Sequence, residues 1–309
     1  MPIPLIVVLA VIAGMLLIIF ILVLGIYAFI FYSPRKGQIS NVGLLESSNF
    51  ANYGDKMKKL ITTLMNRPYE DIYVNSFDKL KLHARLYENK GSKTVALLFH
   101  GYRGASYRDF CGGANEAINM GYNVILTDHR AHGLSQGHSI TFGAREVQDV
   151  LSWVNYARNR FGNDINIVLI GISMGGATVL MAADKVEGNV KIIADCPYAS
   201  VKLVLIDTLK TIHLPVFIFY PLLCLSALLF AHTNLNKYSA FDSVKNSHHP
   251  ILIIHGDKDS VVHQHLSLDL YRANQNKIHY ESFSGADHGE SYLTNTNRYQ
   301  KIITDFLEK

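Results

Sequence analysis

Three observations predict an α/β fold: a mostly parallel sheet with helices on both faces. Short apolar runs alternate with longer amphipathic stretches from Asp71 onward. The runs are continuous rather than alternating, as in strands buried on both sides. Several end at glycine-containing polar loops, where a strand hands over to a helix. Residues 72–77 and 80–87 read as a hairpin turning at Asp78-Lys79. Residues 94–99 form an apolar run ending in His100-Gly101, and 124–127, 167–170, 191–194 and 251–254 are of the same kind; 278–283 alternates. Helical stretches lie near 107–120, 143–160, 174–186, 263–274 and 291–307. Repeated strand–helix–strand units imply right-handed crossovers, with ligand chemistry at the carboxyl ends of the strands.

The 309 residues are 49% hydrophobic and 17% charged, with a net charge of +4. Typical domains are about one quarter charged, so part of this surface is built to meet something other than water. The apolar content excludes intrinsic disorder, and no Lys/Arg run longer than a pair supports a nucleic-acid partner. Cys111, Cys196 and Cys224 are odd in number and form no C-x-x-C pair, so neither a disulfide framework nor a Cys-rich zinc site is predicted.

Residues 3–32 carry no charge. A span of about 20 apolar residues crosses a bilayer core. A cleaved signal peptide would need a basic start, a shorter core and small residues at its end. Residues 1–33 are therefore read as a single-pass membrane anchor, with Tyr27 and Tyr32 at the interface. Arg35 and Lys36 follow it, which leans toward a cytoplasmic C-terminal domain. Residues 34–69 read as a juxtamembrane linker with a short amphipathic helix near 53–65, and 70–309 as the main domain.

After the run 167–170 comes Gly171-Ile172-Ser173-Met174-Gly175-Gly176, followed by 177–183 at helical spacing. G-x-S-x-G between strand and helix is a tight turn that lifts the serine above the sheet, and the small flanking residues let the chain double back. Ser173 is the candidate nucleophile. A serine needs a base within hydrogen-bond reach, itself oriented by an acid.

Together with His100-Gly101-Tyr102, the block Asp128–Ser135 and the later Gly-Asp-Lys-Asp and Asp-His-Gly segments, this pattern resembles the α/β-hydrolase superfamily over about residues 70–309. Within it the chain is similar to bacterial membrane-anchored esterase/lysophospholipase-like proteins. The resemblance implies the chain order serine, acid, histidine. It puts the acid three residues after Gly256, at Asp259, with Asp257 on the same loop as the alternative. It puts the base at His288, after the last strand, and leaves Asp287 as a turn residue. The oxyanion donors are expected to be the backbone N–H groups of Met174 and Tyr102. His129, His132 and His138 cluster with Asp128 and Asp149, but without the spacing of a zinc site, so no metal is predicted. The Asp128–Ser135 block reads as a structural loop.

An insertion at about 201–245 interrupts the rhythm. Its stretch 212–231 is apolar, broken by Pro215 and Pro221, and long enough to span a bilayer. A crossing there would separate Ser173 from Asp259 and His288, so a working triad excludes it. The open readings are a lid, a hairpin dipping into the membrane surface, or core packing; the prolines favour broken short helices. The expected activity is hydrolysis of carboxylic esters, hydrophobic or lipid-like, at a membrane and without a cofactor. Thioester or peptide hydrolysis, acyl transfer, and a non-catalytic adaptor are the alternatives.

Overall fold

The computed structural model describes residues 3–34 and 51–309. Residues 35–50 of the expected linker lie outside the described residues. Among those described, eight strands form one sheet: β1 (Glu70–Asn75), β2 (Lys81–Tyr87), β3 (Thr94–Phe99), β4 (Asn123–Thr127), β5 (Asn166–Ile172), β6 (Val190–Asp195), β7 (Ile251–Gly256) and β8 (Ile278–Phe283). Their spatial order is β1-β2-β4-β3-β5-β6-β7-β8. The pairs β1/β2 and β2/β4 are antiparallel and the others parallel. Leu97 of β3 sits level with Ile125 of β4 and Leu169 of β5, which fixes the central register.

The helices in chain order are α1 (Ile3–Ile26), α2 (Gly54–Met65), α3 (Ser106–Asp109), α4 (Cys111–Asn119), α5 (Glu146–Phe161), α6 (Met174–Met181), α7 (Val201–Thr211), α8 (Val216–Phe230), α9 (Ala240–Asn246), α10 (His265–Ala273), α11 (Ser291–Thr294) and α12 (Thr296–Glu308). The period-two alternation of β3 sorts the core into two layers. Val95, Leu97 and Phe99 face the layer that holds Trp153 of α5 and Leu180 of α6. Ala96 and Leu98 face the layer of α2, α4 and α12. The chain leaves β3 toward β4 on one side and reaches β5 on the other. The carboxyl ends of β3 and β5 therefore border the crevice of a topological switch point.

Three local departures from the sequence reading have physical causes. The expected helix 107–120 is two pieces, because Asp109 turns its carboxylate back to accept the Gly101 N–H (3.0 Å) and ties α3 to the end of β3. The final helix divides at Asn295, whose side chain caps α12 by accepting the Arg298 N–H (3.0 Å). The region read as linker contributes α2, which buries Met57, Ile61 and Leu64 against the second layer. Burying each such side chain is worth about 2 kcal/mol, which binds α2 to the domain.

The segment 212–231 is not broken at both prolines. Pro221 lies inside α8, which runs through it. The break falls at 212–215, where His213 takes φ 59° and Pro215 precedes the first turn. A proline just before a helix forfeits no ladder bond, whereas Pro221 removes a single rung. The helix α8 packs against α1: Ser226 Oγ donates to the Val23 carbonyl (3.0 Å), and the Phe230 ring lies 6.1 Å from Phe20 and 5.3 Å from Tyr27. Residues 4–31 form one apolar helical stretch, ending in a π-helical turn, long enough to cross a membrane. Its side chains from Leu5 to Leu22 are mostly exposed, as are Phe217, Leu228 and Leu229 on α8.

Candidate active site

The turn from β5 into α6 places Ser173 at φ 55°, ψ −117°, a left-handed backbone that costs a non-glycine residue on the order of 1–3 kcal/mol. Packing enforces it. A Cβ on Gly171 would lie 2.2 Å from the Gly175 carbonyl oxygen, and one on Gly175 would lie 1.8 Å from the Phe99 oxygen. The chain can cross itself here only with glycine at both positions. The Ser173 N–H is held by the Asp195 carbonyl (2.8 Å), and the N-terminus of α6 points its partial positive charge at the serine.

Ser173, His288 and Asp259 come from three separate loops and form one hydrogen-bonded chain. Ser173 Oγ lies 2.9 Å from His288 Nε2, and His288 Nδ1 lies 2.8 Å from Asp259 Oδ2. With Nδ1 protonated, the ring donates to the carboxylate and accepts from the serine hydroxyl. Asp259 is 5% exposed and Ser173 8%. Burial pushes the Asp259 carboxyl up, but hydrogen bonds from His255 and His288 outweigh it and hold the group well below the usual carboxylate range. Its other oxygen accepts the N–H groups of Val261 (2.9 Å) and Val262 (2.7 Å).

The loop chemistry separates the two aspartates. Asp257 accepts the Gly285 N–H (2.7 Å) and so pins one loop to the other, away from the imidazole. Asp287 accepts the N–H of His288 (2.7 Å) and of Ser260 (2.8 Å), the work of a turn residue.

The His100-Gly101-Tyr102 loop lies against the nucleophile: a Cβ on Gly101 would be 3.5 Å from Ser173 Cβ. Neither the Met174 nor the Tyr102 N–H donates to another group among the described residues. His100 is fully buried, donates from Nδ1 to the Gly101 carbonyl (2.8 Å) and accepts the His129 N–H (3.1 Å). Burial and its histidine neighbours keep its ring well below the usual histidine range.

The histidine-rich block is knitted into the protein. His132 Nε2 accepts the Arg103 N–H (3.1 Å) and its Nδ1 faces the Arg130 carbonyl (2.9 Å). His129 is pushed down to about 3 by burial and by His132. His138 stacks on Tyr32. Asp128 meets His83 (2.7 Å) and Asp149 pairs with Arg130 (2.7 Å).

Sequence reasoning missed two supporting residues. Asp109, buried beside Arg108, holds the Gly101 N–H and so sets the course of the loop. His255 is buried with its Nε2 2.8 Å from the Val262 carbonyl and 3.1 Å from Asp259 Oδ2. The signal for His255 was its place in His255-Gly256-Asp257, which repeats the strand-end pattern of His100-Gly101.

A cavity of about 210 Å³ opens at Ser173 and His288, and none of the insertion residues 201–245 lines it. A hydrogen-bonded Ser–His–Asp chain with adjacent N–H donors can carry acyl transfer.

A family model described as the alpha/beta hydrolase fold matches residues 95–212. An uncharacterized protein of Bacillus subtilis, YqkD, is 27% identical over 194 residues, covering 62% of this chain and 64% of that protein. The monoglyceride lipase of Mus musculus is 30% identical over 132 residues, covering 40% of this chain and 42% of the lipase. The chain thus spans less than two thirds of either curated relative. The Pyrococcus furiosus esterase Pf2001 superposes with a TM-score of 0.64 at 22% identity, covering 80% of this chain and 92% of the esterase. The strand order, the strained serine turn and these likenesses agree on one assignment: the chain has the α/β-hydrolase fold.

Proposed function

We propose that the protein is a membrane-anchored serine hydrolase that cleaves hydrophobic carboxylic esters through an acyl-enzyme. The single observation that carries this reading is the continuous chain from Asp259 through His288 to Ser173 at a strained turn. Ser173 Oγ attacks the ester carbonyl while His288 Nε2 takes its proton. Asp259 keeps the imidazole in the accepting tautomer and stabilises its cationic form. The N–H groups of Met174 and Tyr102 receive the oxyanion. His288 then protonates the departing alcohol, and a water activated by the same nitrogen releases the acid and restores the serine. The likenesses to a monoglyceride lipase and an esterase support an ester as the bond cleaved.

The anchor reading rests on α1 and α8. At about 1.5 Å per residue, the 28-residue stretch 4–31 reaches about 42 Å, more than the ~30 Å hydrocarbon core. The helix α8 joins it at the small residue Ser226, whose Oγ donates to the Val23 carbonyl, a contact suited to helices meeting in lipid. Its exposed Phe217, Leu228 and Leu229 then meet acyl chains rather than water.

The test is hydrolysis by the full-length protein in detergent micelles of p-nitrophenyl esters, alongside acyl-CoA thioesters and aminoacyl amides. Ester turnover that drops by about 10⁴-fold or more in Ser173→Ala is expected. Turnover confined to thioesters or amides would replace the ester assignment.

A further inference from the structure

A central strand in a helix-covered sheet is normally buried on both faces. β5, flanked by β3 and β6, is buried on the α6 side, where Ile167 and Leu169 are sealed. On the opposite face Val168 is buried but Ile170 and Ile172 are only partly buried. Leu98 of β3 and Ile193 of β6, on the same face, are fully covered. The gap is therefore confined to β5.

The opening that reaches these side chains is the cavity at Ser173. It runs from Ser173 and His288 along β5, between α4 and α12, to Tyr122 and Leu307. Leu307 lies level with the start of β6, since Lys191 Nζ donates to its carbonyl (2.6 Å). Val168, Ile170 and Ile172 share one face, so at about 3.3 Å per residue the floor is about 13 Å long. Two glycines of α4 shape the wall. A Cβ on Gly112 would lie 2.2 Å from Tyr292 Cε1, so glycine lets that ring close against the helix. A Cβ on Gly113 would meet only Phe110 Cδ1, at 3.7 Å, so glycine there leaves open space.

We propose that this groove is the acyl-chain subsite, an assignment that rests on the serine-hydrolase reading above. The acyl group stays bonded to Ser173 Oγ until water releases it, and the groove descends along the strand that carries Ser173. An ester carbonyl at Ser173 sends an unbranched alkyl chain over Ile172 and Ile170 toward Tyr122. The substrate class is then an ester of a medium- or long-chain fatty acid, and the chain-binding element is the α4–α12 groove rather than the 201–245 insertion.

The experiment measures kcat/KM of the full-length protein in micelles for p-nitrophenyl acetate, p-nitrophenyl decanoate and decyl acetate. Gly113→Leu narrows the groove from α4, and Ile303→Trp, at a position that lines it, narrows it from α12, with folding of each checked by circular dichroism. The wild type is expected to prefer decanoate to acetate. In either folded variant that ratio falls about tenfold or more, the loss of roughly two buried methylenes. An unchanged ratio, as a groove filled by another part of the chain would give, overturns the subsite. A fall for decyl acetate instead of decanoate also overturns it, because the groove would then take the alcohol. In both cases Ser173-dependent acetate hydrolysis keeps the serine reading intact. Absence of any Ser173-dependent hydrolysis would instead remove that reading.

Discussion

The hydroxyl of Tyr102 donates to the carbonyl oxygen of Ile30 across 2.7 Å, which ties the loop beside Ser173 to the end of the apolar N-terminal helix. The tie is reinforced from both sides. Arg103 Nη2 reaches the carbonyls of Phe29 (2.5 Å) and Tyr32 (3.3 Å), and the Tyr102 ring stacks on Phe142 at 4.9 Å. The last carbonyls of a helix lack partners within it, and here the loop supplies them. Tyr102→Phe keeps the backbone N–H proposed for the oxyanion and deletes only the tie. It is expected to lower stability by about 1 kcal/mol while ester hydrolysis persists. Thermal unfolding together with kcat checks both halves; complete loss of turnover in a folded variant would contradict the backbone assignment.

Two aspartates on one loop make opposite predictions. Asp259→Asn removes the acceptor that fixes the His288 tautomer and should lower kcat by about 10³–10⁴-fold. Asp257→Asn keeps an amide oxygen that can accept the Gly285 N–H, removes only a charge, and should change kcat little. Steady-state kinetics of the two variants side by side reads the difference, and equal losses would contradict the assignment.

Asp195 gives a prediction in pH. It is fully buried at the end of β6, and burial raises its carboxyl from 3.8 to about 6 against the opposing pull of His255, Tyr299 and Ser291. Between about pH 4 and 6 the folded chain keeps a proton that the unfolded chain has released, so this group's contribution to stability falls as pH rises through that window. A shift of about two units corresponds to a loss on the order of 3 kcal/mol once the window is passed. Asp195→Asn cannot ionise, so its unfolding temperature should change less across that window than the wild type's. Parallel curves would contradict the raised value.

Much of this was legible because single residues dictated it. The continuous apolar runs gave the strands, since a parallel strand covered on both sides leaves no polar alternative. Gly171 and Gly175 gave the turn, since nothing larger fits where the chain crosses Phe99. Other features depended on partners remote in sequence. Asp257 and Asp259 are the same residue type two positions apart, and only the positions of Gly285 and His288 distinguish them. The role of α2 was hidden because its amphipathic pattern suits a membrane surface as well as the face of α4. Apolarity alone left the 212–231 stretch open between lid, membrane and core; its packing against Val23 and Phe20 of α1 could not be read from either segment separately.

The most direct test of the central claim is covalent labelling of the full-length protein with a fluorophosphonate, with the modified residue mapped by mass spectrometry. A single adduct on Ser173, absent in Ser173→Ala and strongly slowed in His288→Ala, is the predicted result. Undiminished labelling of the Ser173→Ala protein, or a folded wild type that does not react at all, would contradict it.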